Sequence, residues 1–191
     1  MPVWEPPSWK FSLETPELGN QDDETVLRTE IAEGDLEKIF YGGQAFYFKS
    51  PFVTEARARW ADPDLAVRIK TSAVLSSPCS RCLEPSRIEI LGDFLYLYSL
   101  RDREASGEDS AEEDFRVVRI DSWRRFIDIT EQVWESFILS LPLKVLCSDG
   151  CRGLCSVCGK PLKDDDVCCS RTETDPRLDK LAEFKIEDLP E

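Results

Sequence analysis

The chain has 191 residues, of which 41% are hydrophobic, and it carries a formal net charge of −14 with no histidine at all. Without imidazole, histidine acid–base catalysis, Ser–His and Cys–His nucleophile pairs and the usual open catalytic zinc sites are excluded. The acidity is uneven, −7 over residues 1–40, −6 over 102–114 and −6 over 164–191, so the rest sums to +5 and a nucleic-acid surface on the body is permitted.

The opening MPVWEPPSWK has neither the basic flank nor the apolar centre of a secretory signal, and no apolar run approaches a membrane span. The expectation is a cytoplasmic protein with no membrane partner. Residues 1–24 are rich in Pro and Glu and read as a flexible leader. A β-rich core is expected over 25–146. Val26–Ile31 is its first strand, Glu33–Gly34–Asp35 and Tyr41–Gly42–Gly43 are turns, and Phe46–Tyr47–Phe48 is a short aromatic strand.

The strongest periodicity lies between 52 and 100. Leu65, Val67, Ile69, Thr71, Ala73 and Leu75 alternate with more polar neighbours, as in a half-buried strand. Residues 53–60 precede it across the reverse turn Ala61–Asp62–Pro63–Asp64. Ile88 to Leu100 continues the alternation, with Gly92 expected to mark a bulge or bend. Residues 101–114 contain no apolar side chain larger than alanine and read as an acidic loop. A strand follows over Phe115–Ile120. A helix over 129–141 then places Val133, Trp134, Phe137, Ile138 and Leu141 on one face, and Pro142 ends it. Asp128 and Glu131 are spaced as in a capping box, with Thr130 the alternative cap. The fold class is α+β, a mostly antiparallel β-sheet or partly open β-barrel with one covering helix and a C-terminal zinc-knuckle segment at 147–191.

The eight cysteines point to metal. Cys79 and Cys82 sit in CSRC between two strands, at a hairpin tip. Cys147, Cys151, Cys155, Cys158, Cys168 and Cys169 crowd into one stretch with Gly- and Asp-containing turns. Thiols two or three residues apart are the signature of structural zinc, and in a reducing compartment they are ligands rather than disulfides. Eight thiols make two tetrahedral sets, so one or two structural Zn²⁺ ions are expected. One grouping joins Cys79 and Cys82 to Cys147 and Cys151, and leaves Cys155, Cys158, Cys168 and Cys169 together. The other joins the two tight pairs, Cys79/Cys82 and Cys155/Cys158. Cys169 is the least certain ligand, because successive side chains diverge.

CSRCLEP after an alternating strand, an acidic segment, a helix running into LPLKVLC, then CRGLCSVCGKPL and the closing DPRLDKL resemble the YceD family over roughly residues 50–184. The resemblance implies a role in ribosome biogenesis, since the family is described as required for accumulation of large-subunit (23S) ribosomal RNA. The adjacent Cys168–Cys169 departs from the family, where one residue separates the two cysteines. Asp175 in DPRLDKL can cap a C-terminal helix, in which Arg177 is a candidate partner contact.

Three functions follow as expectations. The first is a non-enzymatic assembly factor that binds pre-ribosomal RNA or particles. Its contacts would be Arg57, Arg59, Arg68 and Lys70 on the strands and Arg81 and Arg87 at the first knuckle, with Arg152, Lys160 and Lys163 beyond. The second is an acidic holder of a basic large-subunit ribosomal protein. The third, an enzyme, is disfavoured: carboxylate clusters fall in expected loops and the C-x-x-C pairs in turns rather than at helix starts. No small-molecule substrate is expected.

Overall fold

The computed structural model describes residues 8–18, 20, 22–36, 38–101, 115–162 and 169. The sequence alternation grows into long strands: β5 (Phe52–Ala61), β6 (Asp64–Pro78) and β7 (Pro85–Leu100). Ala61 pairs with Asp64 across a two-residue turn, and β6 and β7 stay in register from Leu65↔Tyr98 out to Pro78↔Pro85. Because side chains alternate, Ala56, Ala58, Leu65, Val67, Ile69, Ile90, Tyr96 and Tyr98 all fall on one buried face.

The remaining strands extend this centre. The first two are β1 (Ser12–Glu14) and β2 (Glu24–Ile31), and a hairpin of β3 (Ile39–Tyr41) with β4 (Gln44–Phe48) follows. After β7 come β8 (Phe115–Ile120) and β9 (Phe126–Asp128). β2 pairs with β5, β4 with the far end of β6, and β7 with both β6 and β8, giving a seven-stranded sheet. It is mostly antiparallel and stays open rather than closing into a barrel. The one parallel pair among the described residues is β7 with β8.

The helix α1 (Thr130–Leu139) covers the buried face with Val133, Trp134, Phe137 and Ile138. The expected capping box does not form. Instead the Asp128 carboxylate accepts the Thr130 amide at 2.9 Å, and the Thr130 hydroxyl accepts the Phe11 amide at 2.9 Å. Tyr96 and Tyr98 reach up from β7 to Gln132, at 3.2 Å to its carbonyl and 2.8 Å to its side-chain oxygen.

Two further expectations need correction. Gly92 is no bulge: it pairs with Thr71 in unbroken register. A Cβ there would lie 2.5 Å from Thr71 Oγ1 and 2.6 Å from Ser140 Oγ, so glycine lets the end of α1 sit down on the sheet. The second concerns the leader at 1–24, whose described part is core in places. Phe11 and Leu13 are buried, and Trp9 stacks on Phe52 at 4.6 Å. β1 pairs with β9, with Leu13 opposite Ile127. Burial of large side chains, each stabilising by about 1.5–3 kcal/mol, overrides the Pro- and Glu-rich composition. Most of the acidic loop (102–114) and the expected C-terminal helix lie outside the described residues.

Candidate metal centre

The β6–β7 ladder runs out to Pro78 and Pro85, so Cys79–Glu84 form the tip of a stiff hairpin. The Cys79 amide donates to the Glu84 carbonyl at 2.8 Å, and the Leu83 amide to the Cys79 carbonyl at 3.0 Å. Leu83 takes a φ of 64°, a left-handed conformation that costs a non-glycine residue about 1–2 kcal/mol and closes the turn. The turn carries both thiols inward: Cys79 and Cys82 are buried.

The segment leaving α1 packs against this tip. The Ser80 amide donates to the Val145 carbonyl at 2.8 Å, and the Arg81 guanidinium to the Cys151 carbonyl at 2.8 Å. Gly153, at φ 81°, lets the chain pass so close that a Cβ would lie 3.3 Å from the Arg81 carbonyl oxygen. Cys147 and Cys151 thereby meet the first pair. Cys79 and Cys151 have Sγ atoms 3.7 Å apart, and Cys82 and Cys147 3.5 Å apart. All four sulfurs lie within 4.8 Å of one another.

These separations suit a metal rather than a disulfide. Sulfurs bonded to one another stand about 2.05 Å apart. Four sulfurs placed tetrahedrally about 2.3 Å from a zinc ion stand about 3.8 Å apart. The electrostatics agree. Burial opposes ionisation of Cys79, but the amides of Cys82, Arg81 and Cys147 outweigh it and bring the thiol down to about 6. At Cys82 the Glu84 amide favours the thiolate, yet burial and the thiols of Cys147, Cys79 and Cys151 push the group up to about 12. One thiolate forms readily and the next is resisted by its neighbours. A divalent cation removes that resistance.

A second group follows. Cys155 donates its amide to Lys160 at 2.8 Å, Gly159 donates to the Cys155 carbonyl at 2.9 Å, and Leu154 bridges Pro161, which folds Cys155–Cys158 into a small knuckle. Cys155, Cys158 and Cys169 have sulfurs within 4.8 Å of one another. Cys169, the ligand the sequence leaves least certain, is thus brought in, whereas Cys168 lies outside the described residues. The cysteines gather as Cys79/Cys82 with Cys147/Cys151, and not as the two tight pairs together.

The cationic candidates divide. Arg57 is engaged by Glu55 at 2.7 Å and Glu24 at 3.2 Å, and Arg68 donates two bonds to Asp93 at 2.7 and 2.8 Å. Lys70 approaches the same Asp93 at 3.9 Å. These carboxylates respond: Arg57 and Arg28 hold Glu55 below its usual range, and Arg68 does the same for Asp93. Arg59 is exposed on the same face, opposite Glu24. Arg81 serves the clasp, Arg87 lies 3.4 Å from Glu89, and Arg152 and Lys160 are exposed on the knuckle segment. Lys163 and Arg177 lie outside the described residues.

The turn at Gly42–Gly43 and the aromatic strand form the β3–β4 hairpin, whose Phe40 and Tyr47 face solvent, an exposure not expected from the sequence. The signal was present in Phe46–Tyr47–Phe48: when both outer residues of such a triplet are buried, the middle one points the other way.

Comparison with known proteins adds the family. Residues 67–185, more than half of the chain, match the model described as "Large ribosomal RNA subunit accumulation protein YceD". An uncharacterized protein of Mycobacterium tuberculosis is 31% identical over 106 residues, which is 56% of this chain and 48% of its own length. An uncharacterized protein of Mycobacterium bovis matches with the same figures. The chain thus spans about half the length of the curated relatives it matches. No solved structure matches it.

Proposed function

Because the chain belongs to the YceD family, we propose that it is a non-enzymatic factor in ribosome biogenesis that supports accumulation of large-subunit ribosomal RNA by binding that RNA or its precursor particle. The observation that carries this reading is the family match, which spans all eight cysteines together with α1. The non-enzymatic part is supported by the absence of histidine and by thiols gathered into groups at metal-ligand spacing.

In this reading Cys79, Cys82, Cys147 and Cys151 hold one Zn²⁺, and Cys155, Cys158 and Cys169 contribute to a second. Such ions supply structure, neutralising thiolates and cross-linking the hairpin tip to the segment that follows the helix. Arg59 and Lys160, which are exposed, are offered to phosphates, with Arg152 exposed beside them on the knuckle segment, and Arg57, Arg68 and Lys70 meet RNA by sharing or exchanging their carboxylate partners. Among the described residues, no helix is long and apolar enough to cross a membrane, and the site of action is proposed to be the cytoplasm.

The test is crosslinking in cells followed by sequencing of the attached RNA, paired with a pull-down after nuclease treatment. Enrichment of large-subunit RNA, with partners lost to nuclease, is the expected result. A basic ribosomal protein retained without RNA would replace this reading with that of an acidic holder, which the negative segments at 1–40 and 164–191 favour.

A further inference from the structure

The geometry points to a single-stranded RNA platform at the knuckle end of the sheet, with Phe40 and Tyr47 stacking on unpaired bases and Lys38 and Lys49 meeting the adjoining phosphates. It rests on the reading of the protein as an RNA-contacting factor, and it adds where the strand lies and in what form. Phe40, Tyr47 and both lysines precede residues 67–185, so the platform belongs to this chain's own N-terminal half.

The register of the β3–β4 hairpin decides which side chains share the outer face. Ile39 pairs with Phe46, and both are buried. Their neighbours must then point outward: Phe40 is 53% exposed and Tyr47 44%. Lys38, Phe40, Tyr47 and Lys49 therefore line one surface, with the Lys38 ammonium 5.2 Å from the Phe40 ring centre. Phe40 pairs with Ala45, which makes Tyr47 its diagonal neighbour at about 7–8 Å, within reach of two adjacent bases. Tyr47 also lies opposite Ser76, and Ser76 opposite Arg87, so the surface continues across three strands.

Charge selects the partner. Gln44 donates to Ser80, and the Ser80 amide donates to Val145, so segments 38–50, 76–88 and 143–162 form one end of the molecule. Those three segments hold seven bases and two acids in a chain whose net charge is −14. With Cys169 added to these segments, a divalent ion on Cys79, Cys82, Cys147 and Cys151 and another on Cys155, Cys158 and Cys169, all as thiolates, would lower that balance from +5 to +2 without reversing it. Among the described residues neither Lys38 nor Lys49 is ion-paired. The middle of the same face differs, since Arg57 and Arg68 already have carboxylates and the exposed apolar side chains beside them, Leu91 and Leu95, are aliphatic. Aromatic rings beside cations that hold no carboxylate among the described residues suit a strand with splayed bases, for which the Lys38 ammonium swings from the Phe40 ring to a phosphate. A duplex hides its base faces and offers such rings nothing to stack on.

The experiment measures binding of the zinc-loaded full chain to a labelled oligouridylate, by fluorescence anisotropy across a salt series. Phe40→Ala and Tyr47→Ala should each weaken binding by roughly 5- to 150-fold at fixed salt, with the salt slope unchanged. Lys38→Ala and Lys49→Ala should each lower the slope of log affinity against log salt by about 0.7. All four positions are exposed, and unchanged thermal melts of the variants verify folding. If the wild type binds oligouridylate and the aromatic variants bind as tightly, the platform is overturned while the RNA reading stands. If the wild type binds large-subunit RNA but not oligouridylate, the platform is again overturned. If it binds neither RNA, both readings fall. If Phe40→Ala and Tyr47→Ala spare RNA and abolish capture of a protein, the patch is a protein-binding surface and the platform is wrong.

Discussion

Cys82 and Cys147 stand 65 positions apart in the chain, yet their sulfurs meet at 3.5 Å across the junction of the hairpin tip and the segment that leaves the helix. Neither local turn nor core burial brings two thiols together in this way at both Cys82–Cys147 and Cys79–Cys151. Replacement of Cys82 by serine should lower the zinc content by one equivalent per chain, measured by elemental analysis of protein purified under reducing conditions. It should also expose amides of residues 143–162 to hydrogen exchange, because structural zinc of this kind contributes on the order of 10 kcal/mol of apparent binding energy to folding. Equal zinc in the two proteins would remove the four-thiol site.

Asp93 gives a pH dependence with a definite sign. Arg68 lowers its carboxyl below the usual value of 3.8 in the folded chain. A depressed folded-state pKa stabilises above the unfolded value, and the contribution is lost as pH falls through the folded one. Asp93→Asn should therefore lower the melting temperature slightly at neutral pH, with the gap to wild type closing below pH 3.8. A gap that persists unchanged into strong acid would show that the substitution acts by packing instead.

Gly92 tests the close approach of α1 to the sheet. A methyl group there collides with Thr71 Oγ1 and Ser140 Oγ, and Gly92→Ala should destabilise by about 1–3 kcal/mol in urea unfolding. Ser140→Ala in the same chain removes one of the two colliding atoms and should recover part of the loss. Additive effects of the two substitutions would mean that the clash is relieved elsewhere.

Phe11→Ala should cost about 3–5 kcal/mol, as for a phenylalanine in a core, since the side chain is buried beside Trp9. An unfolding midpoint equal to that of wild type would return this segment to the periphery.

How much of this could be read beforehand depended on how far each signal reached along the chain. The strands β5, β6 and β7 were legible because their alternation runs for ten or more residues, as in the ten of β5 and fifteen of β6. The hairpin-tip position of Cys79 and Cys82 followed from the strands on either side. β1 was not legible: it is three residues long, and Leu13 finds its partner at Ile127. A pattern so short has no period to detect. The ion pairs of Arg57 and Arg68 were hidden for a related reason, because Glu24, Glu55 and Asp93 become their neighbours only once the strands are in register. The grouping of the cysteines was open in the sequence because spacing constrains each pair and says nothing of which pairs meet.

The seam between Phe11 and Thr130 also sets an order of events during synthesis. The Phe11 amide waits for a hydroxyl that lies 119 residues further on. At about 5–20 residues per second, that delay is on the order of 6–24 s. Hairpins such as β5–β6 close within about 1–10 μs of emerging. The β5–β6 hairpin therefore exists before its lid: its apolar face stays uncovered until α1 has been made and β1, first to be synthesised, can pair with β9, and the segment carrying Cys147 and Cys151 follows later still.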